Sequence, residues 1–102
     1  MKTINKYSIT VAIEGQAVFN YFAVIEEMAF GKKILTIDIA SRQLSAPIDS
    51  DKVEALIVAK VIKTLNAADH PDFELYQKLT KWQKTKCVSV YVELLSTEVS
   101  IF

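Results

Sequence analysis

Between Lys6 and Glu14 the chain alternates. Tyr7, Ile9, Val11 and Ile13 fall on one side, and Lys6, Ser8, Thr10, Ala12 and Glu14 on the other. A period of two marks a β-strand with one face against a core. Gly15-Gln16 follows, with glycine first, which suits a two-residue type II′ hairpin loop. That loop sets Ile13 opposite Val18, Val11 opposite Asn20, Ile9 opposite Phe22 and Tyr7 opposite Val24. A slip of one residue would send every side chain of the second strand to the other face. Residues 17–30 also carry a helical stripe, Val18, Phe22, Ile25 and Ala29, with Gly31 placed to end it. No Ser, Thr, Asp or Asn cap precedes that stripe, and its Val, Phe, Tyr and Ile suit a pleated surface, so the strand is the preferred reading and the helix its alternative.

Alternation returns from Ile34 to Ala40, with Leu35, Ile37 and Ile39 inward, and predicts a third strand. Ser41 to Ser50, with Pro47, reads as a loop anchored by Leu44 and Ile48. Asp51 and Glu54 are spaced as a capping box for a helix with an apolar stripe of Val53, Leu56, Ile57, Val61, Ile62 and Leu65, ending near Asn66-Ala67-Ala68. Asp69-His70-Pro71-Asp72 opens a second helix, with Asp69 as cap and proline in the first turn. Leu75, Leu79 and Trp82 form its apolar face, with Phe73 and Tyr76 beside it. Cys87 to Leu95 alternates again as a last long strand. Ser96-Thr97-Glu98 then reads as a turn, and Val99 to Phe102 as one extra edge strand.

The order β-β-β-α-α-β, with room for that extra C-terminal strand, is an α+β pattern: an antiparallel sheet packed by two helices. A helix at residues 17–30 would make it β-α-β-α-α-β. The 102 residues form a single domain, 1–102. Twelve basic residues balance twelve acidic ones, so no net field draws the chain to nucleic acid or to an anionic membrane, and little repulsion keeps copies apart. No apolar run approaches the roughly 18 residues of a membrane helix, the N-terminus lacks a signal-peptide core, and one cysteine suits a reducing cytoplasm.

Candidate chemistry is sparse. A nucleophile–base pair must use His70, a turn residue, or Cys87, whose thiol Lys84 and Lys86 could activate. A solvated histidine and a small half-buried cysteine account for both without catalysis. One His and one Cys fit no zinc spacing, and Asp49, Asp51 and Glu54 lack the spacing of a calcium loop. Gly15 and Gly31 are too few and too isolated for a phosphate-binding glycine loop. The expectation is therefore no enzyme, no metal and no cofactor.

Two surfaces remain. On the hairpin, Phe19, Tyr21 and Ile25 are expected to emerge beside Thr10 on the sheet face that helices leave bare, as anchors for a protein partner or a second copy. The function expected is a small protein-interaction module, an inhibitor or accessory factor, with homodimerisation open to it. The alternative is nucleic-acid binding through Lys78, Lys81, Trp82, Lys84 and Lys86, lysines on phosphates and indole on a base. Against it, Trp82 continues the Leu75/Leu79 face as a core residue would, and lysines late in a helix meet its negative end.

Overall fold

In the computed structural model, residues 2–40, 42–49 and 51–100 are described. The strands are β1 (Lys2–Ile13), β2 (Ala17–Glu27), β3 (Lys33–Ile39), β4 (Arg42–Ile48) and β5 (Val88–Ser100). The helices, α1 (Val53–Ala67), α2 (Glu74–Gln77) and α3 (Lys81–Lys86), lie between β4 and β5. The strands form one antiparallel sheet in the order β4-β3-β2-β1-β5, so the fold is α+β. Residues 17–27 extend as β2, and only Ala29–Gly31 coils, as a single 3₁₀ turn, which removes the helical alternative.

The β1–β2 turn sets the rest. It absorbs three residues, Glu14, Gly15 and Gln16, and is closed by Gln16 N–H donating to the Ile13 carbonyl at 3.0 Å. Gly15, third of the four residues Ile13–Gln16 that this bond closes, has φ +71°, where glycine avoids the steric cost other residues meet. The extra residue moves the register by one from a two-residue loop. Ile13 pairs with Ala17, Val11 with Phe19, Ile9 with Tyr21 and Tyr7 with Ala23. Tyr21, Ala23 and Ile25 thus join Tyr7, Ile9, Val11 and Ile13 on one face, with Leu35, Ile37 and Ile39 from β3.

That face is closed by Ile57, Val61 and Leu65 of α1, by Tyr76 of α2, and by fully buried Phe73 from a 3₁₀ turn at Pro71–Phe73. The three α1 residues follow the i, i+4, i+8 spacing of a helix lying on a sheet. Gln77 fastens α2 to the end of α1, its amide donating to the Leu65 and Ala68 carbonyls at 3.1 and 2.8 Å. These carbonyls are among those a helix C-terminus leaves unpaired.

Several local expectations are corrected. Residues 42–48 form strand β4 rather than loop; Pro47 is tolerated because β4 is an edge strand, where a missing N–H costs no ladder bond. The proposed loop ends, Ser41 and Ser50, lie outside the described residues. The Asp51/Glu54 capping box does not form: α1 starts at Val53 with Lys52 in the cap position, and Asp51 instead meets the Lys33 ammonium at 3.2 Å. His70, not Asp69, caps the Pro71 turn, its Nδ1 accepting the Asp72 N–H at 3.1 Å.

The second helix is two short ones. Thr80 opens α3 with a real capping box, its hydroxyl accepting from Gln83 N–H while the Gln83 side chain accepts from Thr80 N–H. This break rotates Trp82 off the Leu75/Leu79 line, and the core takes Phe73 and Tyr76 instead. Finally, β5 continues through Ser96-Thr97-Glu98 to Ser100, with Leu95 as the extra residue of a bulge opposite the Lys6/Tyr7 step of β1. Ile101 and Phe102, the end of the expected extra strand, lie outside the described residues.

Candidate interaction surfaces

The helices close one face of the sheet, and among the described residues no helix covers the other. Register fixes what it presents. Val18, Asn20, Phe22 and Val24 of β2 lie beside Ala12, Thr10, Ser8 and Lys6 of β1, then Ser89, Tyr91, Glu93 and Ser96 of β5. On the far side Phe22 adjoins Asp38, and Val24 adjoins Thr36, which in turn pairs with Ser45. Val18 is 71% exposed, Phe22 51% and Tyr91 62%. Solvent-facing positions of a half-buried strand are ordinarily polar. Three large apolar side chains standing in water are therefore the unusual feature of this sheet.

Its charges are arranged at the margins. Lys2 pairs with Glu26 at 3.1 Å and Lys6 with Glu98 at 3.4 Å, while Asp38 and Glu93 add carboxylates on either side of the Ser8–Phe22 row. The surface is an apolar strip with an acidic rim.

Of the hairpin residues expected here, only Thr10 is on this face. Tyr21 and Ile25 are buried, at 6% and 2% exposure, and Phe19 packs against the core, its ring stacked on Tyr21 with centroids 6.3 Å apart. The three-residue turn is the physical reason: it exchanges the faces of β2. The Tyr21 hydroxyl donates to Asp72 Oδ2 at 3.4 Å. Burial, and then the Asp72 carboxylate, raise the phenol well above its ordinary value near 10. It is a core group held protonated, not a contact residue.

The basic segment is partly dispersed. Trp82 is 66% exposed, against the expectation that it is core, and Lys78, Lys81 and Lys86 are exposed around it. Lys84 is drawn inward, its ammonium 4.8 Å from the Tyr76 ring centroid and 3.1 Å from Asn66 Oδ1. A groove of about 490 Å³ lies between β4 and α1, with Leu35, Leu44 and Ala46 along it and Arg42, Lys60 and Lys63 at its margin. Reading residues 41–50 as a loop hides this groove, because it gives Leu44 and Ala46 no sheet face. Arg42 already donates to the Asp69 carbonyl at 3.2 Å, so the groove's cations are not all available to a ligand.

The candidate reactive residues sit in separate elements, His70 before the Pro71 turn and Cys87 at the end of α3. His70 stacks obliquely on Phe73, 5.4 Å between centroids, and its Nδ1 is used by the turn. Cys87 is half-buried at the head of β5, its carbonyl accepting from Glu14 N–H at 2.8 Å. Among the described residues no three His, Cys, Asp or Glu side chains group as metal ligands, and no helix is long and apolar enough to cross a membrane.

Comparison with protein-family models, curated proteins and solved structures finds no match. The functional reading rests on the geometry above.

Proposed function

We propose that this chain is a non-enzymatic protein-interaction module, acting as an inhibitor or accessory factor through the bare face of its sheet. One observation carries the reading: Phe22, Val18 and Val24 share the face opposite the helices, while the core is closed without them. Aromatic side chains flanked by aliphatics are the usual anchors of protein contacts. The rim specifies the partner's chemistry. Asp38 and Glu93 favour a protein that presents an apolar patch bordered by lysine or arginine.

The test is affinity capture from the native host with three baits: the wild-type chain, Phe22→Ser and Trp82→Ala, each verified as folded by circular dichroism. The expected result is a partner with a basic-rimmed apolar patch, held by wild type and Trp82→Ala and lost with Phe22→Ser. A partner that ignores Phe22→Ser would overturn the reading.

One observation favours a second reading, nucleic-acid binding through α2 and α3: Trp82 stands in water among Lys78, Lys81 and Lys86. Balanced total charge and the carboxylates on the open face weigh against it. A salt titration separates the two, because each phosphate neutralised lowers the logarithm of affinity by about 0.9 per decade of salt on duplex DNA. Failure of the chain to bind single- or double-stranded nucleic acid at low salt would eliminate this reading.

A further inference from the structure

We propose that two copies of this chain join through β5, paired antiparallel about a two-fold axis at Tyr91, so that the two sheets become one of ten strands. The contact is separate from the Phe22 face and does not depend on it.

The two edges of the sheet differ. β4 is short and carries Pro47, which blunts it. β5 runs Val88–Ser100 with neither proline nor lysine, and no described strand pairs with its outer side. Alternate residues of such an edge turn N–H and C=O groups away from β1 and leave them for another strand. Leu95 bulges, so the regular part of the edge ends at Leu94.

What identifies the occupant is the sequence of that regular part: Val88-Ser89-Val90-Tyr91-Val92-Glu93-Leu94. It is a palindrome in character about Tyr91, with Val90 mirrored by Val92, Ser89 by Glu93 and Val88 by Leu94. A two-fold interface needs a self-complementary patch, and antiparallel pairing of this segment with itself satisfies that condition. Tyr91 meets its copy, Val90 meets Val92, Val88 meets Leu94, and Ser89 meets Glu93 with no carboxylate opposite another. All the valines stay on the helix side, because the pairing preserves the faces of both sheets. A shift of one residue would set the valines of one copy beside the polar positions of the other.

Burial points the same way. Val88, Val90 and Val92 are only partly buried against their own core, and Leu94 is 49% exposed. The helix layer covers this edge only in part, and a second copy of the same strand would extend the apolar row on that side. Balanced total charge places no net repulsion between the copies.

Ser89 is exposed and lies opposite Glu93 of the second copy in this register alone, which makes it the probe. Sedimentation velocity over a concentration series is expected to find a species of twice the 11.5 kDa chain mass. Ser89→Lys creates two symmetry-related opposite-charge pairs and should tighten the dimer. Ser89→Glu creates two like-charge pairs and should weaken it, each by about 2- to 30-fold. Circular dichroism establishes that both variants fold. A chain that stays at its monomer mass throughout overturns the proposal. So does a dimer that responds to both substitutions alike, or one that Phe22→Ser abolishes while Ser89→Glu leaves it intact.

Discussion

The exchange of faces on β2 can be read directly from the stability of two substitutions, Ile25→Ala and Phe22→Ser. Ile25 is 2% exposed, against the α1 side of the sheet. Truncating it removes three carbons from the core. At about 0.8 kcal/mol per methylene this costs about 2.4 kcal/mol before any cavity forms. A cavity that cannot collapse raises the loss towards 5 kcal/mol. Phe22 is 51% exposed on the bare face, so only half of its ring leaves water on folding. Its removal should cost about 1 kcal/mol. A chain of this size has about 5–15 kcal/mol in all, so both variants should fold. Ile25→Ala should lower Tm by about 10–40 °C and Phe22→Ser by less than about 8 °C. Urea unfolding followed by far-ultraviolet circular dichroism measures both, with an unchanged slope as the check that the unfolded states are comparable. With a two-residue loop at Gly15-Gln16 the roles would reverse. A larger loss for Phe22→Ser than for Ile25→Ala would therefore refute the register.

Three further outcomes are expected. Because burial and Asp72 raise the Tyr21 phenol in the folded state, the unfolded chain loses that proton first; the contribution is whole below about pH 10 and is lost as pH climbs towards the folded value. Tyr21→Phe should flatten the alkaline fall of denaturation midpoints without abolishing it, since burial raises Tyr7 in the same direction. Phe30 holds a φ of +72° with its side chain in water, so Phe30→Asn should stabilise the chain by up to about 1 kcal/mol in thermal melts. Thr80→Ala removes the hydroxyl half of the α3 capping box and leaves the Gln83 side chain on the backbone N–H of residue 80; it should cost about 0.5–2 kcal/mol and speed amide exchange at Gln83.

The strands β1 and β3 were legible because their alternation is local and unambiguous: every second residue from Tyr7 to Ile13 and from Leu35 to Ile39 is apolar, and all are buried. Gly15 located the turn but not its length. Two- and three-residue hairpins differ by one position, and the usual arbiter, which face of the second strand is polar, was silent. β2 is apolar on both faces, with Tyr21, Ala23 and Ile25 on one and Val18, Phe22 and Val24 on the other. β4 was hidden for a different reason. Pro47 reads as a breaker unless the strand is known to be an edge, and edge position is a property of the whole sheet. The Leu75, Leu79, Trp82 spacing misled because it assumed one continuous helix, whereas the Thr80/Gln83 box, visible in the letters, starts a new one.

The same ambiguity that hides the register is what carries the proposed function. In a sheet covered on one side, burial demands apolar residues on one face only, and the other face is free to be polar. β1 obeys this, with Ser8, Thr10 and Ala12 outward. β2 does not, although it lies beside β1 and beneath the same helices. Folding requires Tyr21, Ala23 and Ile25, since they complete the core; it does not require Phe22, which stands half in water. On the proposed reading, the apolar surplus of β2, with Tyr91 of β5 on the same face, belongs to what the sheet meets rather than to how it folds. That inference holds for either register, which is why an exposed hairpin surface was legible before its residues were. β5 supplies the parallel case at the edge, where Val88, Val90 and Val92 repeat the inward alternation of β1 but receive only partial cover from the helices. Both departures from the minimum that the core requires point outward, one across the open face and one along the unpaired edge. A surface that serves only solubility would show neither.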